Sequence, residues 1–334
     1  MKKIFTTLLS TLTAACCICG VTIAAACRED ESTQEGSDGL EYALTEDRQS
    51  YYLSGYTDDA PEDIVVASEY NGLPVTAIGE GAFETRSDPY TGLTIVNIRS
   101  VTIPSSVKEI WPYAFSANYT VETINLAEGL EVIGTRAFSQ CSVKELDIPS
   151  TVREIGAWAF FSCDFESITI PEGVTELEEE TFYSCSNLTK VNLPDSLRVI
   201  GVGAFHQTGI THIDLPAGLT TIERGAFLSS MLQNIELPDD MTTLNEQALN
   251  GAYNLEYVVL PAGMREIGDA AFDNTALKTV YYKGTAEQYA SIDIGEDNQP
   301  LNDATVYYYS AEKPSADGNF WHYNADGEPE IWLN

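Results

Sequence analysis

The sequence predicts a repeat solenoid: coils of 22–23 residues, a parallel β-ladder on one face, short helical or turn segments on the other, and β-rich caps. Three observations predict it. An Ala-Phe dipeptide recurs at Ala82-Phe83, Ala114-Phe115, Ala137-Phe138, Ala159-Phe160, Ala204-Phe205, Ala226-Phe227 and Ala271-Phe272, with Thr181-Phe182 and Ala248-Leu249 as variants. From Phe115 its intervals are 23, 22, 22, 23, 22, 22 and 23 residues. The residues that end each apolar strand, Pro104, Ala127, Pro149, Pro171, Pro194, Pro216, Pro238 and Pro261, keep the same intervals. Finally, no coil can bury its few apolar side chains alone, so neighbouring coils must stack to share one spine.

The N-terminus comes first. Lys2 and Lys3 precede an uncharged stretch at residues 4–26 that ends in Ala24-Ala25-Ala26. That is the pattern of an export segment. Cys27 follows, and the chain then turns polar. Small residues directly before a cysteine resemble a bacterial lipobox, which implies lipidation at Cys27. An uncleaved membrane anchor and plain secretion are the alternatives, and each places the body outside the cytoplasm. Residues 27–40 read as a tether, 41–73 as an N-terminal cap, 74–280 as the solenoid and 281–334 as a C-terminal cap. The step from Phe83 to Phe115 is 32 residues, which marks an insertion near 85–93. Solenoid loops of this kind often carry function.

Within a coil, Val191-Asn192-Leu193 alternates apolar and polar as a half-buried strand does. Pro194 ends it, because proline cannot donate to a ladder. Leu197, Ile200 and Ala204-Phe205 return the chain. The inward pairs are Ile124/Leu126, Leu146/Ile148, Ile168/Ile170, Val191/Leu193, Ile213/Leu215, Ile235/Leu237 and Val258/Leu260. One outward column then runs Asn125, Asp147, Thr169, Asn192, Asp214, Glu236, Val259, Tyr281. The other runs Thr123, Glu145, Ser167, Lys190, His212, Asn234, Tyr257, Thr279. The strip is acidic in its middle and aromatic at its end. His212, Asp214, Tyr257, Tyr281 and Tyr282 are therefore the candidate ligand contacts. The opposing reading is that the tyrosines dock the C-terminal cap.

The net charge of −34 argues against binding nucleic-acid phosphates and against docking on anionic lipid. Chemistry is sparse. His212 with Asp214 forms a pair, but no motif places a nucleophile beside it. Gly201-Val202-Gly203 belongs to the repeat and opens no phosphate loop. Glu178 to Glu180 reads as a solvated turn without calcium-loop spacing. Cys141, Cys163 and Cys185 stand 22 and 22 residues apart, the repeat's own spacing. Buried thiols are expected there, with a disulfide between coils open. Trp321, Tyr323 and Trp332 pack a cap or form a sugar-stacking platform. No catalytic set, metal or cofactor is expected.

The phrase L-x-x-[IV]-x-[IL]-P-x-x-[VL]-x-x-I-G-x-x-A-F-x-x-C, fullest at Leu188 to Phe205 and at Ile168 to Cys185, resembles the BspA-type leucine-rich repeats of bacterial surface proteins. The resemblance covers roughly residues 64–334. It implies a surface module that adheres to an extracellular protein or glycan; separately, the chain is expected to be a monomer and, lacking a catalytic set, not an enzyme. A scaffolding envelope lipoprotein is the alternative, and a hydrolase of surface polymers the remote one.

Overall fold

The computed structural model describes residues 35–85, 96–315 and 317–333. The expected export segment, Cys27 and most of the insertion lie outside the described residues. The chain winds as a β-solenoid of about 11 turns. Among the described residues the α-helices are Ala286–Tyr289 and Gln299–Asp303, both near the C-terminus. The return side of the coils is built from turns.

Each coil has three sides, and hydrogen bonds tie most of them to the neighbouring coils. The first is the expected ladder. Asp63–Val65, Ser100–Ile103 and Thr123–Leu126 pair in parallel, as do Ser167–Thr169 with Lys190–Asn192. Asn234–Glu236, Tyr257–Leu260, Thr279–Tyr282 and Thr305–Tyr309 form the third run. The register sets Ile124 opposite Val101 and Val258 opposite Ile235, so like side chains share a face.

The second side is a further parallel ladder, which the sequence pattern did not reveal. Val132–Ile133 and Glu154–Ile155 are typical members, as are Val199–Ile200 and Thr221–Ile222. Two residues are too few to display an alternation. A turn separates the two ladders in each coil, closed by an N–H···O=C bond such as Leu197 to Pro194 at 3.1 Å. The glycine after the isoleucine is needed for spacing. A Cβ on Gly201 would lie 2.5 Å from the Leu177 carbonyl of the coil below.

The third side is the Ala-Phe turn. It starts and ends on left-handed residues, such as Arg136 (φ 57) and Gln140 (φ 57). Alternate N–H groups point at the next coil: Arg136 to Ala157 O, Phe138 to Ala159 O and Gln140 to Phe161 O, at 3.0, 2.9 and 2.7 Å, while Ala137 and Ser139 bond within their own turn. Beneath them the phenylalanines Phe83, Phe115, Phe138, Phe160, Phe182, Phe205 and Phe227 are fully buried. Their rings form one stack, with Phe182 and Phe205 5.5 Å apart and 3° from parallel. Cys141, Cys163 and Cys185 are free thiols. Cys163 and Cys185 donate to the carbonyls of Phe138 and Phe160, each at 3.0 Å. Burial pushes Cys141 up to about 11 and Cys185 up to about 12, so these thiols stay protonated and inert.

The turn column needs an end. Glu296 O accepts from Ala270 N–H at 2.8 Å. The buried Asn298 accepts from Phe272 N–H at 3.0 Å and donates to Gly268 O at 2.9 Å. The strand ladder runs past residue 280 without a break. Phe320–Tyr323 pairs in parallel with Thr305–Tyr309. Pro329–Ile331 then turns back antiparallel as a hairpin.

Candidate binding face and its grooves

The first ladder is interrupted twice. The stretches 144–148 and 212–215 belong to no strand, and among the described residues no backbone hydrogen bond joins them to their neighbours. Their inward residues Leu146 and Ile213 remain buried, so the coils stay in the stack while their main chains stand apart. Each interruption opens a groove. The one beside His212 is about 540 Å³, and the one beside Glu145 about 520 Å³.

The position of the interruptions follows the coil lengths. Glu145, His212 and Thr279 stand 67 residues apart, which is one long coil plus two short ones. All three residues hold the same place in a three-coil period. The first two are open. The third lies in an intact ladder.

The groove beside His212 gathers residues distant in sequence. Its floor is the strand face at His212, Asp214, Asn234 and Tyr257, and its roof is the hairpin tip at Gly327 to Pro329. His212 Nδ1 lies 3.1 Å from Asn234 Oδ1, and Nε2 lies 3.0 Å from Asp214 Oδ1. Both partners are acceptors, so the imidazolium satisfies both bonds by donating twice. Burial lowers the His212 pKa, but the bonds to Asn234 and Asp214 and the charges of Asp214 and Glu328 outweigh it, and the net shift is upward. Glu328 from the roof meets the Tyr257 hydroxyl at 3.5 Å.

The hairpin changes what the strand face presents. Trp321 is fully buried over Val259 and Tyr281, which are 1% and 9% exposed. Its indole N–H donates to Tyr282 O at 3.0 Å. Tyr323 O–H donates to Glu236 at 2.7 Å. Lys283 reaches Glu236 at 2.7 Å and Asp239 at 2.6 Å. Burial lowers the Lys283 pKa, but those two carboxylates outweigh it, so the amine is held well above its usual range.

Two candidate contacts are thereby corrected. Tyr281 does point outward, but the hairpin covers it. Tyr282 takes the inward place of Leu260 in the register and is fully buried, its hydroxyl donating to Ala262 O at 3.0 Å. Of the tail's aromatics, Trp321 is buried and offers no platform, and Trp332 stacks on His322 at 3.7 Å. Cap docking accounts for these rings. His212, Asp214 and Tyr257 are brought together in one groove. Glu236, Asp239, Lys283 and Glu328 were not singled out from sequence. No local pattern flags a residue whose partner stands 87 positions away, as Tyr323 does from Glu236.

Stacked coils with a strand face of this kind define a leucine-rich repeat solenoid. Residues 108–233 and 175–291 match the family described as BspA type leucine rich repeat region, in 6 copies. These spans take in more than half of the chain, which belongs to that family. A leucine-rich repeat protein from Bacteroides ovatus has a similar structure, with 25% identity, a TM-score of 0.57 and coverage of 83% of this chain and 79% of that one. A leucine rich cell surface protein from Faecalibacterium prausnitzii has a TM-score of 0.54 at 20% identity, covering 78% of this chain and 98% of its own. A comparison with curated proteins finds no match. Leucine-rich repeat solenoids are typically non-enzymatic binding modules.

Proposed function

We propose that this is an exported surface protein that holds an extended, basic segment of an extracellular protein against its strand face. The observation that carries the reading is the groove at His212. It is roofed by the hairpin, walled by Tyr257 and lined by Asp214, Asp240 and Glu328. Tyrosine supplies area at low entropic cost, and carboxylates select the partner's charge. The rigid stack adds little ordering cost on binding. Family membership and the description of the Faecalibacterium neighbour as a cell surface protein support a position outside the cell. Acylation of Cys27 is the anchor this reading includes; Cys27→Ser should then lose acyl labelling and membrane partition.

The test is a titration of the purified protein with a labelled Lys-rich peptide and its Glu-substituted twin. The basic peptide should bind and weaken as salt is raised. An Asp214→Asn, Asp240→Asn, Glu328→Gln variant should bind it at least tenfold more weakly. Equal binding of both peptides, or an unaffected variant, rejects the proposal.

A further inference from the structure

The open coil at Glu145 is built like the one at His212, but no described segment roofs it. We infer that its groove is a second subsite of the same binding face, and that the partner is one extended segment with two basic residues four positions apart. This inference rests on the function proposed above and adds a site to it.

Three features agree. The first is the main chain. Among the described residues no neighbouring coil pairs the main-chain N–H and C=O groups of residues 144–148, which border a groove of about 520 Å³. A segment running along the solenoid axis crosses these groups and can bond them singly, without adding a strand. The second is charge. Glu145, Asp147 and Glu166 line the groove against Lys144 alone, and Glu145 and Asp147 are exposed. The third is spacing. Glu145 and His212 are three coils apart, which is about 14 Å at the ladder spacing. An extended chain advances about 3.4 Å per residue, so residues i and i+4 lie about 14 Å apart on one side. Between the grooves the outward residues are Ser167, Thr169, Lys190 and Asn192. Lys190 there disfavours a third basic group between the two, which makes the spacing selective.

Linking two weak contacts through one chain makes the second contact intramolecular, with an effective concentration in the range of about mM for a short linker. The experiment titrates the purified protein with three Gly/Ser-based peptides: one Lys, two adjacent Lys, and two Lys at i and i+4. The last should bind at least tenfold tighter than the other two. In Glu145→Gln/Asp147→Asn the advantage should vanish, with single-Lys binding kept by the His212 groove. Circular dichroism confirms the fold, since both side chains are exposed and neither has a hydrogen-bond partner among the described residues. If this variant keeps the full advantage, the Glu145 groove is no subsite and the inference falls, while the proposed function stands. If the adjacent-Lys peptide binds as tightly as the spaced one, only charge is read, and the inference falls as well. If none of the peptides binds the unaltered protein, both fall.

Discussion

The coil at His212–Leu215 and the coil at Thr279–Tyr282 hold the same place in the three-coil period, yet one is an open groove and the other a closed ladder. The sequences differ where it matters. His212 and Asp214 are charged or ionisable and face water, and among the described residues their main chain has no hydrogen-bonded partner. Tyr281 and Tyr282 offer rings to both faces. Tyr282 fills the spine, and Tyr281 meets Trp321 at 5.3 Å and Tyr307 at 6.0 Å. At Thr279–Tyr282 the apolar cover shields the ladder's main-chain bonds from water, a protection that 212–215 lacks among the described residues. Cover is not needed everywhere, since Ser167–Thr169 pairs with Lys190–Asn192 beneath exposed polar side chains. The candidate binding face is thus bounded by the chain's own cap, and the groove lies at the cap's leading edge.

The largest effect should come from removing the cover. Trp321→Ala empties a fully buried site and should cost about 3–5 kcal/mol. The loss should be confined to the C-terminal coils, because solenoid stability is carried by neighbour contacts. Hydrogen exchange at Thr279–Tyr282 should quicken toward that of 212–215, while the coils near Phe138 keep their protection. A variant that melts as before would show that Trp321 does not hold the third coil shut.

A smaller change sharpens the comparison at the hinge between the two regions. Lys283 ties the ladder beneath the hairpin to Glu236 and Asp239, and its side chain is only 18% exposed. The carboxylates are 45% and 76% exposed, so solvent weakens the pairs. Lys283→Met should therefore cost roughly 1 kcal/mol. It should also free Glu236 and loosen the hairpin tip over His212, read as faster exchange at 320–323 with unchanged exchange at Phe182. A loss comparable to that of Trp321→Ala would mean that the ion pairs, and not the ring, fasten the cap.

How much of this was legible beforehand follows from the length of the signals. The stack was readable because Phe and Pro recur with fixed intervals over many coils. The inward face was readable from alternation, as the burial of Leu146, Ile213 and Val258 bears out. The second ladder was not, since Val199–Ile200 is too short to show a period. His212, Asp214 and Tyr257 could be singled out as outward residues by parity alone. The same parity places Tyr282 inward with Leu260, and grouping it with its exposed neighbours broke that rule. The roof was invisible, because nothing near Glu328 announces that its strand folds back over residues some hundred positions earlier. The interruptions were equally hidden: Glu145-Leu146-Asp147 and Ser167-Ile168-Thr169 share one apolar-polar pattern, and only the second forms a strand.

The smallest predicted effect concerns proton uptake at the open coil. The groups facing His212 are Asp214 on its own coil, Asn234 on the next and Glu328 from the hairpin, with Asp239, Asp240 and Lys283 further along the groove. The His212 side chain is 58% exposed, so its titration is visible to solvent. Its pKa is raised above 6.5. Below that raised value the ring is cationic and cancels one of the groove's negative charges. As pH climbs through it, the charge is lost. Nε2–H can still donate to Asp214, whereas Nδ1 then needs the Asn234 amide to turn over. The groove becomes more negative, so a basic segment should bind more tightly at higher pH, by about two- to fivefold for an exposed charge. The fold responds in the opposite direction. A raised pKa contributes stability that is present at low pH and fades as pH rises through the folded value. Histidine proton resonances followed from pH 5 to 9 should place the His212 midpoint above the ordinary value. His212→Asn should flatten the pH dependence of peptide affinity, and Thr279→His should leave it unchanged. A His212 midpoint at or below 6.5, or affinity that falls as pH rises, would break the assignment of the charged ring to the open coil.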